Sequence, residues 1–152
     1  VGAVIEVSPA SLGITQEISS RIKVYNGAAL FVDYGYSSKK LGDTLRAVQK
    51  HRELNIFEDP GRSDLSSHVD FRSIAKAAIN MGTTVYGPIE QGIFLRYLGI
   101  TERSFKLKKS APLRATIIDD EVARLTSPKM MGSLFKVLAI LNPSLPKPAG
   151  FP

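Results

Sequence analysis

The sequence has no cysteine and little histidine, and each shortage excludes a class of chemistry. Without cysteine, this chain of 152 residues can form no disulfide bond, thiol nucleophile or zinc–thiolate site. Histidine occurs only at His51 and His68, which is too little for a histidine-rich metal centre, so no metal site is predicted. The apolar runs are far shorter than the roughly 20 residues that cross a membrane as a helix, so no membrane span is predicted.

Glycine-rich loops that bind phosphate are also missing. The glycines occur singly, and neither G-x-G-x-x-G nor G-x-x-x-x-G-K-[ST] is present. The chain likewise has no G-x-S-x-G elbow and no H-E-x-x-H pair. These absences exclude a nucleotide-binding fingerprint, a serine hydrolase of that type and a zincin within these residues.

The size and the charge of the chain are informative in a different way. Its length and its 43% of hydrophobic residues suit one domain with a real core. The formal charge of +6 and the pI of about 9.7 fit a nucleic-acid partner, an anionic cofactor, or a mitochondrial or ribosome-rich setting. One basic group is formed by Arg103, Lys106, Lys108 and Lys109. Too few aromatic residues lie among these cations for a nucleic-acid surface, so nucleic acid is not the favoured partner.

Strand and helix patterns alternate at the start of the chain. Residues 1–7 (VGAVIEV) predict a strand or the end of one, and isoleucines that recur every four residues predict a helix over residues 11–23. After an Asn-Gly turn, the apolar run over residues 27–34 predicts a buried strand. Strand, helix and strand at this spacing indicate a βαβ crossover and hence a parallel sheet.

The later part of the chain predicts further elements. Asp70 suits the N-cap of a helix over residues 71–81, which Gly82 would end. Residues 43–51 (DTLRAVQKH) fit either a short helix or an irregular strand, and that choice stays open. Beyond these, the pattern predicts a short strand at 83–86, a helix at 91–98, an amphipathic helix around 117–125, a last strand at 134–141, and a proline-rich tail at 142–152 that packs on nothing.

Polar residues gather in turn contexts around the poorly patterned stretch 35–67. A stretch of this length in a compact chain is usually functional or disordered. Asp33 follows the buried strand, and the carboxyl end of a parallel strand is where such sheets bind ligands. Asp64, His68 and Asp70 lie together in DLSSHVD. For Asp70 the favoured role is the helix cap, although a cap can also border a site; His68 fits a surface or core histidine as well as a site residue.

Several segments occur in an order that resembles one protein family. They are EVSP (6–9), NGAALFVDYG (26–35), DTLRAVQKH (43–51), PGRSDLSSHVDF (60–71), GPIEQGIFLRYLGI (87–100) and MGSLFKVLAI (131–140). This order is similar to the carboxyl-terminal half of the MidA (DUF185) family of S-adenosylmethionine-dependent methyltransferases. The most specific segment is PG-x-x-DL-[ST]-x-HVDF, in which Ser66 and Ser67 replace the Thr and Ala that are commoner in the family. Eukaryotic members are mitochondrial and methylate an arginine on a core subunit of respiratory complex I during assembly.

The resemblance implies a fold and a cofactor. The fold would be α/β, comprising the later strands and helices of a seven-stranded class I methyltransferase sheet. Residues 28–33 would form its fifth strand, and residues 83–86 and 134–140 its closing pair. The cofactor would be S-adenosyl-L-methionine, and its glycine-rich loop is expected upstream of Val1. The sheet would then be incomplete without an upstream half, and this portion alone would be inactive.

The resemblance also implies roles for individual residues. Asp33 and Asp70 are predicted to orient the guanidinium of an arginine acceptor, because carboxylates bind that group bidentately. His68 is predicted to accept a proton or relay a hydrogen bond. Rim packing is the more ordinary role for the two tyrosines near Asp33. The side chains predicted to line the substrate pocket are Tyr34, Tyr36, Asp64 and Gln91.

The predicted organisation is a methyltransferase portion over residues 1–141 followed by the tail at 142–152. The predicted function is part of a protein-arginine methyltransferase with a core subunit of complex I as its protein substrate. Its location would be the mitochondrial matrix, or the cytoplasm if the source is bacterial. Two other classes stay open: a non-catalytic binding or assembly module with this fold, and a basic RNA-associated protein favoured only by its charge. Cofactor binding separates the first class from these two.

Overall fold

The structure is a computed structural model that describes residues 3–38 and 41–152. Its helices are α1 (Pro9–Tyr25), α2 (Phe71–Asn80), α3 (Gln91–Tyr97), α4 (Ile100–Ser110), α5 (Ala115–Thr126) and α6 (Met131–Leu134), with a 3-10 turn at Pro112–Arg114. Its strands are β1 (Ala28–Tyr36), β2 (Arg46–Gln49), β3 (Arg52–Leu54), β4 (Asp64–Ser66), β5 (Val69–Asp70), β6 (Thr84–Glu90) and β7 (Phe135–Leu141). In these two ranges, no helix is both long enough and apolar enough to cross a membrane.

The main sheet has the strand order β5-β1-β7-β6. β7 runs antiparallel to both of its neighbours, so that Val137 lies opposite Val32 of β1 and Ile89 of β6. β5 pairs in parallel with the end of β1. The strands predicted as the fifth and the closing pair are therefore adjacent, and the predicted α/β class is confirmed.

The predicted strand at residues 1–7 is not formed over its described part, residues 3–7. A strand needs a ladder of backbone partners, whereas residues 3–7 are largely exposed and have one backbone–backbone bond among the described residues, from the Gly42 N–H to the Val4 carbonyl oxygen at 3.0 Å. The βαβ unit built on that strand is therefore wrong for the described residues. The prediction of a parallel sheet is also wrong in detail, because β1 forms its longer pairing with β7, which is antiparallel to it.

Helices cover the two faces of the sheet around separate apolar clusters. Side chains alternate along β7, which is why this strand contributes to both clusters and is buried on both faces. The cluster under α1 and α2 consists of Ile22, Phe71, Ile74, Ala75, Ala78, Leu138 and Ile140. The cluster on the opposite face consists of Phe94, Val137, Ala139, Leu141 and Phe151.

The carboxyl-terminal tail packs on the sheet, so the prediction that it packs on nothing is wrong. Phe151 is only 7% exposed. Its ring centroid lies 5.2 Å from that of Phe94 and 6.1 Å from that of Tyr86. Proline content predicts an unpacked segment, but one aromatic side chain buries enough apolar area to hold a short chain end against an apolar face. The domain boundary after residue 141 stays a prediction.

Residues 43–51, for which the sequence left helix and strand open, contribute a strand. β2 forms the centre of a small antiparallel sheet with the order β3-β2-β4. Lys50 and His51 join β2 to β3 with positive φ angles of 49° and 63°, which is the backbone of a two-residue hairpin turn. The Gln49 side chain donates from Nε2 to Asp59 Oδ2 at 3.0 Å, and this bond holds the following loop against the small sheet.

The helices α3, α4 and α5 pack against one another after β6. The helices predicted at 91–98 and 117–125 are α3 and α5, and the basic stretch between them forms α4. Leu98, at the end of α3, is 49% exposed. Together with Leu107 and Leu125 it lines an apolar groove of about 390 Å³ between the three helices.

Candidate functional site

The end of β1 meets the segment SHVD through β5. β1 continues to Tyr36, so Asp33 lies within the strand rather than after it. Gly35 permits the junction, because a Cβ at this position would lie 2.1 Å from the Val69 carbonyl oxygen. In the resulting register Tyr36 lies opposite Asp70. Two segments that the sequence singled out separately are therefore adjacent at one edge of the sheet.

Side-chain alternation places several of the predicted site residues on one polar face. Val69 packs into the apolar cluster under α1 and α2, so its neighbours His68 and Asp70 lie on the opposite face. The Tyr34 ring lies on that face as well, with its centroid 6.2 Å from the His68 ring. The residues brought together in this way, called the polar cluster below, are Tyr34, Tyr36, His68 and Asp70.

Asp70 is the N-cap of α2, as predicted. Its Oδ1 accepts the backbone N–H of Ser73 at 3.1 Å, and its Oδ2 accepts the Ser73 hydroxyl at 2.6 Å. This double contact satisfies an otherwise unpaired donor in the first turn of the helix. It also fixes the orientation of the carboxylate beside Tyr36.

Glu6, which was not predicted as a site residue, joins the polar cluster. Its Oε1 accepts the backbone N–H of Thr44 at 2.8 Å, and its Oε2 accepts the Thr44 hydroxyl at 2.6 Å. The oxygen of the same hydroxyl accepts the backbone N–H of His68 at 2.9 Å. Thr44 is 8% exposed, so these bonds are shielded from water. The segments EVSP, DTLRAVQKH and HVDF thus meet at one threonine.

The polar cluster shifts the pKa of two groups in opposite directions. Partial burial acts to raise the pKa of Glu6, but hydrogen bonds from Thr44 and the next backbone N–H, together with the charge of His68, lower this pKa below its ordinary value. Burial raises the pKa of the Tyr36 phenol, and the negative charges of Asp70 and Glu6 raise it further. Near neutral pH, Glu6 is therefore a carboxylate and Tyr36 a neutral hydrogen-bond donor.

Asp33 lies on the opposite face of β1 from Tyr34 and Tyr36, because successive side chains of a strand alternate. It faces Lys136 of β7, which in turn faces Glu90 of β6, so an acid, a base and an acid form a row across the sheet. Asp33 Oδ1 accepts the backbone N–H of Tyr34 at 2.8 Å. The structure therefore separates Asp33 from the two tyrosines with which it was grouped.

Asp64 and Gln91 lie in other parts of the fold. Asp64 is exposed and begins β4 in the small sheet. Gln91 is 7% exposed, and its Nε2 donates to the Leu125 carbonyl oxygen at 2.9 Å. The amide of Gln91 is therefore used to hold α3 against α5.

The sequence did contain a signal for Glu6. This residue follows an apolar run and lies two residues before Ser8, the N-cap of α1, whose Oγ accepts the Ser11 N–H at 3.3 Å. An acid after an apolar run is the same pattern that drew attention to Asp33. The segment EVSP also belongs to the resemblance, but no role was attached to its acid.

The polar cluster has the kinds of side chain that bind a planar cation. Carboxylates bind a guanidinium bidentately, and phenol rings offer faces on which it can stack. An imidazole beside them is a suitable proton acceptor. Two grooves, one between α3, α4 and α5 and one between α1 and α2, lie elsewhere and are not lined by Tyr34, His68 or Asp70. The side chains of the polar cluster therefore fit the acceptor of a transfer reaction.

The strand order and the polar cluster define an α/β protein with a candidate acceptor site at one edge of its sheet. The profile of a protein family described as "Putative S-adenosyl-L-methionine-dependent methyltransferase" matches residues 1–89. The chain therefore belongs to this methyltransferase family, and the resemblance identified from the motifs is confirmed.

Named relatives and solved structures agree with this membership. The mitochondrial protein arginine methyltransferase NDUFAF7 of Danio rerio is 36% identical over 140 residues, which are 91% of this chain and 32% of the relative. The protein of the same name from Homo sapiens is 34% identical over 139 residues, 90% of this chain and 31% of the relative. The chain thus spans about a third of the length of these relatives.

Two crystal structures from Burkholderia thailandensis share the fold. One matches with a TM-score of 0.81 and 29% identity over 90% of this chain and 38% of its own. The other, solved with S-adenosyl-homocysteine bound, matches with a TM-score of 0.79 and 28% identity over 90% of this chain and 36% of its own. In both comparisons, more than half of the larger protein has no counterpart in this chain.

Proposed function

We propose that this chain forms the acceptor side of an S-adenosyl-L-methionine-dependent protein-arginine methyltransferase. The observation that carries the proposal is the convergence of Glu6, Thr44 and His68 beside Tyr34 and Asp70 at one edge of the sheet. Membership of the methyltransferase family and the names of the NDUFAF7 relatives support it. The cofactor supplies the methyl group, and its binding residues are proposed to lie upstream of Val1.

In this proposal the polar cluster holds and deprotonates a substrate arginine. Asp70 orients the guanidinium through its carboxylate, whose position the Ser73 contacts fix. The rings of Tyr34 and Tyr36 form a wall against which the planar group lies. A ring nitrogen of His68 takes the proton that the attacking nitrogen releases, and the nearby charge of Glu6 favours the imidazolium that results. Most of the protein's contribution is therefore positioning and proton removal.

The remaining proposed roles have weaker geometric support. Asp33 is still proposed to orient the acceptor, although the alternation of β1 requires that the substrate reach it around the strand edge. Asp64 and Gln91 are proposed to line a longer substrate path, with the amide of Gln91 already bonded to Leu125.

The proposed substrate is a core subunit of respiratory complex I, and the proposed location is the mitochondrial matrix. The relatives named above are called mitochondrial, which supports the organelle. The complex I subunit comes from the family resemblance alone. A pull-down of the tagged protein from mitochondria, followed by mass spectrometry of bound complex I subunits and their methylated arginines, tests this part.

A second candidate function is a non-catalytic binding module with the same fold. One observation favours it: the carboxylates of Glu6 and Asp70 are already bonded within the chain, to Thr44 and to Ser73 respectively. Such a module would bind an arginine-containing partner without transferring a methyl group.

Methyl transfer by the protein in its full native length separates these functions, and the two histidines offer a matched pair of variants. His68→Asn is expected to lower the transfer rate by about a hundredfold or more, the usual contribution of a positioned acid–base group. His51→Asn is the control, because His51 lies in the exposed hairpin turn with a φ of 63°, a conformation that asparagine adopts readily. Equal rates for the two variants would exclude His68 as the proton acceptor. If the native protein transferred no methyl group, the non-catalytic binding module would be the remaining candidate function.

The location of the cofactor residues has its own test. Calorimetric titration of S-adenosyl-L-methionine into the folded 152-residue chain is expected to give no binding. One-to-one binding would place the cofactor site within these residues and contradict the upstream assignment. The role of Asp33 is tested by Asp33→Asn in the longer protein, where an unchanged turnover would remove it.

A further inference from the structure

The junction between α4 and α5 exposes two large apolar side chains. Phe105 is 68% exposed on α4, and Leu113, in the 3-10 turn that follows, is 102% exposed. Globular proteins tolerate single exposed apolar residues, but a side chain as accessible as Leu113 gains nothing from the fold that holds it. A surface that buries the Leu113 side chain must therefore lie outside the described residues.

Cations surround these two side chains. Lys109 follows Phe105 by four residues and shares its face of α4, Lys106 borders that face, and Arg114 follows Leu113 directly. Among residues 3–38 and 41–152, none of these three cations is in an ion pair, whereas the nearby Lys108 is paired with Asp119 at 2.5 Å. We call the surface formed by Phe105, Lys106, Lys109, Leu113 and Arg114 the basic tip.

The basic tip is separate from the apolar groove. Groove-lining residues of α4 are Ile100, Arg103, Ser104 and Leu107, which lie on the opposite side of that helix. One acid lies on the same face of α4 as the tip, because Glu102 precedes Phe105 by three residues and Lys106 by four. The three cations of the tip therefore outnumber the acid beside them. The acids of α5 begin at Asp119, after its first turn.

We propose that the basic tip binds the surface of a membrane that contains anionic phospholipid. The three unpaired cations lie against the lipid phosphates, while Leu113 and Phe105 enter the boundary between head groups and acyl chains. This binding is peripheral and reversible, consistent with the absence of a spanning helix from the described part of the chain. It would hold the protein at a membrane surface without using the polar cluster.

The apolar members of the tip favour lipid over other anionic partners. A nucleic acid would use the cations and could stack on Phe105, but an aliphatic leucine has no ring to stack and would stay exposed. The Leu113 side chain projects fully from a turn, so an acidic protein would need a matching recess on its own surface to cover it. The acyl chains of a lipid surface cover it without such a recess. A lipid surface is the partner that satisfies both the charges and the aliphatic side chain.

Co-sedimentation of the purified protein with lipid vesicles tests this proposal without any measurement of activity. Vesicles of phosphatidylcholine with about one quarter phosphatidylglycerol, in about 0.1 M salt, are expected to bind the protein, and pure phosphatidylcholine vesicles are not. Each surface cation contributes about a fivefold factor to such binding, so Lys106→Gln with Lys109→Gln is expected to weaken it about 25-fold. Leu113→Ser is expected to weaken it about tenfold, through the lost burial of the side chain.

Val24→Ser is the control, because Val24 is also a highly exposed apolar residue, 70% accessible, and lies on α1 outside the tip. It should change vesicle binding less than twofold. Because Leu113 makes no burial contribution to the fold, Leu113→Ser should also leave the melting temperature unchanged. Failure of the protein to bind anionic vesicles would overturn the proposal. The proposal would also be overturned if heparin abolished vesicle binding and Leu113→Ser left it unchanged. That result would indicate a surface that binds polyanions in general.

Discussion

Replacing Thr44 with valine is the most direct test of the polar cluster, because one hydroxyl group joins three segments of the chain. Valine keeps the shape and the β-branch of threonine and loses only the hydroxyl group. The backbone N–H of Thr44 can still donate to Glu6 Oε1. What is lost is the hydroxyl bond to the Glu6 carboxylate at 2.6 Å and the acceptor for the His68 N–H at 2.9 Å.

The expected cost of Thr44→Val can be worked out from these two bonds. A hydrogen bond to a charged group is worth about 2 kcal/mol and a neutral one about 1 kcal/mol, so the free energy of unfolding should fall by about 3 kcal/mol. Thr44→Ser is the control, because it keeps the hydroxyl and loses one methyl group, for a cost of about 1 kcal/mol. Urea denaturation of both variants measures the difference. If the two variants were equally stable, the proposed link from Glu6 to His68 would be refuted.

Three further changes test other parts of the structure. Phe151→Ala should lower the free energy of unfolding by about 3 kcal/mol in a thermal melt, whereas Phe57→Ala, at an 84% exposed position, should be nearly neutral. The lowered pKa of Glu6 means that its carboxylate stabilises the fold above its ordinary value of 4.5, and that this contribution is lost as the pH falls through the lower folded-state pKa. As the pH is lowered, the free energy of unfolding of Glu6→Gln should therefore fall less steeply than that of the native sequence. An identical slope would contradict the lowered pKa of Glu6. Gly35→Ala should cost about 3 kcal/mol, because its Cβ would lie 2.1 Å from the Val69 carbonyl oxygen; full retention of the native melting temperature would exclude the β1–β5 register.

Local patterns predicted the elements that bury a regular face. The α2 helix, its Asp70 cap and the strands β1 and β7 follow from apolar periodicity and from one capping side chain. The partners of each strand did not follow. Nothing local to β1 specifies that its long neighbour is a strand a hundred residues later in the chain and antiparallel to it, because that choice depends on how all the layers pack.

The sequence predicted only part of the residues that converge at the candidate site. His68, Asp70, Tyr34 and Tyr36 do converge, because a short parallel contact between β1 and β5 places them side by side. Asp33 was grouped with them on the assumption that it follows the strand, whereas β1 continues past it and alternation moves it to the other face.

Glu6 shows the reverse error. It lies far from His68 in the sequence, and only the tertiary bond through Thr44 brings it to the cluster. Periodicity cannot detect such a bond, because it depends on a hydroxyl group in a third segment. Residues that act through an intermediate of this kind are found from contacts in three dimensions, and not from spacing.

Because β7 lies between β1 and β6, the main sheet can be completed only late in synthesis. During synthesis β1 and β6 both emerge before the strand that joins them, so their backbone groups on that side wait for a partner. Contacts between distant parts of a sequence form slowly, which prolongs this interval. A message truncated before Phe135 would yield two exposed sheet edges, which are templates for aggregation. The strand that pairs with both β1 and β6 is thus translated after them, and a product truncated before it would leave this part of the sheet open.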